Sequence, residues 1–468
     1  MSDYKKLEQA DKDHVLHPFT VLKDYAEGKT GDPRIVTGGK GIHIEDQNGN
    51  DIIDAFAGLY CMNIGYGRDE VAEAIYKQAK QLAYCHTYAQ QSNEPLIRLS
   101  ERLCKMAPGN MERVFYGMSG SDANETQVKL VWYYHNVIGK PEKKKIIARE
   151  RGYHGSSVIS GSLTGLPIYH TLFDQPTKPV LHTGSPHYYW NAQEGETELE
   201  FSKRRAKELE DMILAEDPDT IGAFIGEPAL GTGGITPPPE GYWEEIQAVL
   251  KKYDILLIAD EVVTGFGRTG EMFGSIKYGL EPDLITVAKG LTSAYIPLSA
   301  SIVSKKVCDV LKQGSDMAGM FPHGYTYSGH PVGAAAANAV LDIVEREDLP
   351  GNAKETGAYF QKRLQETFSQ MPIVGEVRGV GLMGALEFVA DRATKERFEP
   401  SLKVGARISN AALAEGVIAR AMPHGDILGF SPPLCITKEE VDIVIEKARL
   451  AVTKVAAELE DEGLLKAA

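Results

Sequence analysis

Short apolar runs separated by amphipathic stretches dominate the middle of the chain. They are RVFYG (113–117), KKIIARE (144–150), IGAFIGEP (221–228), ILLIA (255–259), LITVA (284–288) and SASIVS (299–304). Each is bounded by polar or turn residues, and the longest are rich in β-branched or aliphatic side chains, which predicts buried strands. Helical periodicity fills the gaps after SGSDANETQ, at 202–215 and at 242–252. Strand and helix thus alternate from about 113 to 303, which predicts a parallel sheet covered on both faces.

The flanks follow other rhythms. Residues 1 to about 35 are polar around a local apolar cluster, HPFTVL, which predicts an arm or lid anchored by Phe19. In RIVTGGKGIHIEDQNGNDIIDAF, IHIED alternates, QNGN offers an Asn-Gly turn and DIIDAF returns, so a hairpin is expected. AGLYCMNIGYG reads as a loop lining something, with Tyr60 either packing the loop or facing a pocket. Helices are predicted over 69–85 and 94–106, the second opening at Pro95. Residues 182–201 are turn-rich and predict a surface excursion. GMFPHGYTYSGHP reads as a loop before an Ala-rich helix from Val332. From about 350 the pattern becomes a smaller α+β unit. It has helices at 353–370, 401–414 and 437–459 and strands at IVGEVRGVG, LMGALEF and VIARA.

Composition changes this picture little. Hydrophobic residues make up 43% and charged residues 25%, as in ordinary globular chains. A formal net charge of -15 argues against nucleic acid or an anionic membrane as partner. No apolar run approaches a membrane span. The polar start, MSDYKKLEQADKD, has no secretory apolar region. Cys61, Cys85, Cys104, Cys308 and Cys435 are scattered, which fits reduced thiols in a cytoplasm. His14/His17, His182/His187 and His323/His330 lack metal-ligand spacing, so no metal site is expected.

Two of the buried runs end in charge. Asp260 follows Ile255–Ala259, and Lys289 follows Leu284–Ala288. In an open parallel sheet, ligands sit beyond the carboxyl ends of the strands, so an acid and a lysine reach one crevice. A lysine in an apolar setting loses proton affinity and becomes a nucleophile able to form an imine with an aldehyde. A buried aspartate demands a cation, and a protonated pyridine nitrogen is one. Pyridoxal 5′-phosphate (PLP) carries both the aldehyde and the pyridine. Taken singly, Asp260 also suits a turn cap and Lys289 a solvated strand end; their pairing points to the cofactor.

Other motifs reach the same edge. Ser119-Gly120-Ser121-Asp122 opens a helix, whose free N–H groups suit a phosphate as well as an ordinary cap. Each charge-assisted bond to a phosphate is worth about 1.5–3 kcal/mol. In Gly152-Tyr153-His154-Gly155 the tyrosine either stacks on a flat ring or covers the sheet edge. Glu227 ends another buried strand, where it orders a cofactor or a mobile arginine, or is simply solvated. Gly265-Phe266-Gly267-Arg268-Thr269-Gly270 matches G-x-G-x-x-G but is not read as a dinucleotide fingerprint. It stands off its strand, and no clear helix follows.

Together, GSDANE, GYHG, IADEVVTGFGRTG, PDLITVAKGLTSAYIPLSA and HGYTYSGHP resemble the class III (omega) PLP-dependent aminotransferases, over nearly the whole chain. The resemblance implies PLP-dependent transferase fold type I. That is an α/β large domain with a mostly parallel seven-stranded sheet, plus a smaller α+β domain built from both chain ends. The implied division is an arm and part of the small domain at 1–68, the PLP-binding domain at 69–330, and a linking helix with the C-terminal small domain at 331–468. The resemblance makes Lys289 the catalytic residue, which binds the cofactor and shuttles protons. Asp260 pairs with the pyridinium, Tyr153 and Val262 sandwich the ring, and Gly120 and Ser121 hold the phosphate. His154 and Glu227 count among the cofactor-binding residues. Thr326 reaches the phosphate of a neighbouring subunit, which implies a homodimer with shared sites, or a tetramer.

Within the class, HPF, AGLYCMNIGYGR and Arg420 in GVIARAMPHGDILGFSPP look most like the omega-amine:pyruvate branch. There an arginine at this place pairs with a substrate carboxylate, a task suited to a guanidinium fork, and swings away for amines lacking one. Phe19, Tyr60, Tyr88 and Tyr153 would line the amine pocket. Tyr60 departs from the Trp that related enzymes often carry, which changes pocket size and polarity. Val263 stands where members specific for ornithine or 4-aminobutyrate carry glutamine. The expected reaction moves an amino group from an amine or omega-amino acid to pyruvate, giving alanine and an aldehyde or ketone. The alternatives are 2-oxoglutarate as acceptor, decarboxylating or aminomutase chemistry on the same lysine, and a non-catalytic PLP-holding protein.

Overall fold

The computed structural model describes residues 3–465. After a short N-terminal helix, Asp3–His14, come β1 (Val36–Lys40), β2 (His43–Asp46) and β3 (Asp51–Asp54). They form an antiparallel meander, one strand more than the expected hairpin. Its turn is set by Asp46, whose Oδ1 accepts the N–H groups of Asn48 at 2.9 Å and Asn50 at 3.1 Å.

The centre is a seven-stranded sheet. Its strands are β4 (Met111–Gly117), β5 (Lys145–Arg149), β6 (Val180–Thr183), β7 (Ile221–Gly226), β8 (Leu256–Asp260), β9 (Leu284–Val287) and β10 (Ser299–Ser304). They lie in the order β4-β10-β9-β8-β7-β5-β6. β10 pairs antiparallel with both β4 and β9, while β9, β8, β7, β5 and β6 pair in parallel. Every residue of β7, β8 and β9 is buried, which is why they are uninterrupted apolar runs. Successive side chains feed two cores: Leu257 packs with Phe224 and Val287, Ile258 with Ile146 and Leu284. The carboxyl ends of the parallel strands share one edge, where Asp260 ends β8 and Glu227 and Lys289 lie just past β7 and β9.

Elements around this sheet also depart from the sequence expectation. β6 runs into the start of the turn-rich segment; VLHT is a four-residue edge strand with a half-buried middle, too short for a pattern. The helix Glu198–Glu216 starts ahead of 202 because Thr197 and Glu200 form a capping box. The helix Lys305–Ala318 fills a stretch without a predicted element, and the Tyr133 ring packs against its Gly314, where a Cβ would lie 2.3 Å away.

The C-terminal part carries β11 (Val374–Val380), β12 (Met383–Phe388), β13 (Val417–Ile418), β14 (Arg420–Ala421) and β15 (Ile427–Phe430). The single strand expected at VIARA breaks at Ala419. Its first half pairs with β3 of the N-terminal meander, its second with β15. One core joins Ile42 and Ile53 to Phe360, Leu386 and Val444, so both chain ends are packed together. No described helix is long and apolar enough to cross a membrane.

Candidate active site

At the carboxyl edge of the sheet lies a cavity of about 360 Å³ lined by Gly120, Ser121, Tyr153, His154, Glu227, Asp260, Val262 and Lys289, among others. All eight residues expected to hold a cofactor within one chain therefore meet there.

Asp260 is clamped. Its Oδ2 accepts from Asn124 Nδ2 at 2.8 Å and faces His154 Nδ1 at 2.7 Å; its Oδ1 accepts the Val262 N–H at 3.1 Å. Asn124 is itself oriented, because Thr286 Oγ1 donates to its Oδ1 at 2.8 Å. Asn124, Thr286, His154 and Asp260 are all buried. The carboxylate thus has one rotamer and a fixed direction. Neither Asn124 nor Thr286 stood out in the sequence. The available signal was an uncharged polar residue on the buried face of a helix, Asn124, level with a polar interruption in an apolar strand, Thr286.

The residues expected to hold a phosphate sit where the helix Gly120–Val137 begins. Ser119 caps it by accepting the Asp122 N–H at 3.3 Å, which leaves the N–H groups of Gly120 and Ser121 free of the capping box. Two glycines let segments close on this point. A Cβ on Gly120 would lie 3.1 Å from a Val262 methyl, and one on Gly155, at φ +140°, would strike Ser121 Oγ at 2.6 Å. Ser121 Oγ accepts the Ser156 N–H at 3.1 Å, so its own proton remains available to an anion.

Lys289 is held at φ +44°, an uncommon conformation outside glycine. Burial pushes its amine below the ordinary lysine value, against the opposing pull of Cys61, Asp260 and Glu227. Burial likewise pushes the Glu227 carboxyl above its ordinary range; this side chain accepts the N–H groups of Tyr153 at 3.0 Å and Gly231 at 2.8 Å.

Aromatic contacts extend the site. Lys289 Nζ stands 5.3 Å from the Tyr60 ring centre, Tyr60 lies 4.4 Å from Phe56, and the Arg420 guanidinium stands 5.6 Å from the Phe56 ring. Tyr153 meets Tyr169 at 5.3 Å, and Tyr169, which accepts a hydrogen bond from Arg420, meets Phe19 at 5.3 Å. Phe19 is 75% exposed, so it stands at the outer end of this row rather than in the cavity. Tyr88 and Thr326 are not among the cavity's lining. They belong to another face, where Tyr88 packs on Gly324 and Tyr84 Oη donates to the Thr326 carbonyl at 2.7 Å. His187 lies 2.9 Å from Glu376, but Arg378 bridges Glu376 at 2.6 Å and Glu387 at 2.8 Å, so this group is an ion-pair cluster.

Residues 25–452 match the family described as aminotransferase class-III. The chain belongs to the class-III aminotransferases. A diaminobutyrate–2-oxoglutarate transaminase of Halomonas elongata is 60% identical, covering all of both chains. An uncharacterized aminotransferase of Sinorhizobium fredii is 68% identical over 98% of this chain and 99% of its own. The solved omega transaminase of Pseudomonas jessenii in complex with PMP is 42% identical, with a TM-score of 0.94 over 97% of this chain and 99% of that one.

The cofactor of a class-III aminotransferase is PLP, and the residues present fit it. The cavity offers a buried amine, a clamped carboxylate and a helix N-terminus at three of its walls. This aminotransferase should depend on the Thr286–Asn124 bond for cofactor retention. In Thr286→Val the Asn124 Oδ1 loses its buried donor, so the amide that donates to Asp260 and the His154 carbonyl is less firmly oriented. An unsatisfied buried acceptor costs about 1–3 kcal/mol, so PLP affinity should fall about tenfold. Equilibrium dialysis followed by visible absorbance measures this, and Thr286→Ser should restore retention.

Proposed function

We propose that this aminotransferase takes an amino group from an amine or omega-amino acid and delivers it to pyruvate. The observation that carries this reading is Arg420. It lies beyond Tyr60 against the Phe56 ring, and among the described residues no carboxylate pairs with it. A guanidinium so placed is ready for a substrate carboxylate. Val263 beside the cavity, in place of glutamine, supports the same branch.

The same reading assigns the roles. PLP supplies the aldehyde and the electron-withdrawing ring when bound. Lys289 would bind it and then carry the proton to and from the substrate carbon, as its lowered proton affinity suits. Asp260 would hold the pyridine proton. Gly120 and Ser121 would bind the phosphate, with Tyr153 and Val262 against the ring. Tyr60, Tyr153 and Phe19 would shape the amine side.

A homodimer belongs to this reading, with Tyr88 and Thr326 serving the neighbouring subunit's site. Tyr84, Tyr88 and Tyr327, all near Thr326, are 40%, 49% and 53% exposed, an apolar surface of the kind that marks an interface. A cytoplasmic setting belongs to it as well, supported by five unpaired cysteines.

A second reading, 2-oxoglutarate as acceptor, is favoured by the Halomonas relative's name. Purified enzyme given one amine donor with pyruvate or 2-oxoglutarate in turn decides between them. The pyruvate reading expects kcat/KM at least about tenfold higher with pyruvate, a gap of about 1.4 kcal/mol. The opposite order overturns it.

A further inference from the structure

The arginine of the GFGRTG segment is wholly buried. Arg268 Nη2 donates to Asn63 Oδ1 at 2.6 Å, and Nη1 donates to the carbonyls of Pro432 at 2.8 Å and Leu382 at 3.3 Å. The Arg268 carbonyl accepts the Leu382 N–H at 3.1 Å. Among the described residues no carboxylate meets this guanidinium. A buried charge held by neutral oxygens alone is a poor source of stability, so its geometry is the more telling feature.

Each partner leads to one half of the substrate site. Asn63 touches the residue after Lys289, since a Cβ on Gly290 would lie 2.5 Å from Asn63 Nδ2. The same Nδ2 donates to the Phe266 carbonyl at 3.2 Å. On the other side, Pro432 follows β15 closely, and in β15 Gly429 pairs opposite Arg420. Leu382 leads into β12, which pairs with the other edge of β15. A continuous path therefore runs from Lys289 through Gly290, Asn63 and Arg268 to Pro432, β15 and Arg420. A single planar guanidinium joins its two halves.

We propose that Arg268 is a positioning residue that fixes the span between the Lys289 amine and the Arg420 guanidinium. It thereby sets affinity for carboxylate-bearing substrates over plain amines. The proposal rests on the reading of Arg420 as the carboxylate-binding group. A keto acid must meet both ends of the site at once, whereas an amine without a carboxylate uses the Lys289 end alone. Small errors in such a span are amplified in binding and rate. Lysine at 268 keeps the charge but cannot reach Asn63 and Pro432 together with a planar fork.

The test uses holoenzyme carrying Arg268→Lys, Arg268→Met or Arg420→Ala. Steady-state constants are measured for pyruvate and for butylamine, and the Kd of unreactive propionate is measured by calorimetry. Both Arg268 variants should raise the pyruvate KM and the propionate Kd about tenfold while changing kcat/KM for butylamine less than about twofold. If Arg420→Ala leaves both carboxylate constants unchanged, the reading of Arg420 fails and takes the proposal with it. If Arg420→Ala raises them and neither Arg268 variant does, the Arg268 proposal alone is overturned. Equal losses for both substrate classes, or failure of both Arg268 variants to fold with cofactor bound, assign Arg268 to domain cohesion and overturn it too.

Discussion

Lys289→Ala is expected to abolish multiple turnover, with a loss of about 10⁴-fold or more, because in the proposed reading Lys289 is both the nucleophile and the proton carrier. The cavity offers no second amine: Lys289 is the only lysine among its lining residues, and the imidazole there, His154, is engaged with Asp260 at 2.7 Å. The variant should lose the covalent yellow form of the cofactor and release PLP on dialysis. Lys289→Arg should be as inactive, since a guanidinium does not deprotonate in proteins. Small exogenous amines offer a control, because they can carry a proton through the space the side chain vacates. Partial recovery with methylamine would tie the defect to the missing amine and not to misfolding. A Lys289→Ala enzyme working within tenfold of wild type would exclude Lys289 as nucleophile and proton carrier.

The parts of the site legible in the sequence were those fixed by strand ends. Glu227, Asp260 and Lys289 each follow an apolar run, and a parallel sheet brings such ends to one edge whatever the rest of the chain does. Gly120 and Ser121 were legible for a similar reason, since a helix start carries its own signature. What escaped was contact between elements. Thr286 and Asn124 are 162 residues apart, and nothing local in either segment announces the bond between them. Arg268 sits in a glycine motif whose local pattern says nothing of its partners, because Asn63 and Pro432 are 205 and 164 residues away. The break inside VIARA was hidden because two strands of two residues each leave no period to read. The short edge strand β6 is illegible on the same ground. Arg420 is legible only through the family resemblance, because its route to the site through Phe56 and Tyr60 exists only in the fold.

Asp260→Ala should cut kcat by about 10²–10⁴-fold, the rate equivalent of the 3–5 kcal/mol lost when one member of a buried charge pair is removed. The carboxylate would keep the cofactor's ring nitrogen protonated, so that the ring could draw electrons from the substrate carbon whose proton Lys289 would take. Without Asp260, His154 Nδ1 and Asn124 Nδ2 also lose their common acceptor, so a fall in thermal stability should accompany the loss of rate. These two effects can be separated. A PLP analogue methylated at the ring nitrogen carries a permanent positive charge and needs no carboxylate to protonate it. It should recover at least about tenfold of the lost rate in Asp260→Ala, while leaving unpaired the buried donors that lower stability. If the analogue recovers nothing in a variant that remains folded and loaded, Asp260 serves only to pack His154 and Asn124. The reading of the site as a clamp on a charged ring then fails at its central contact.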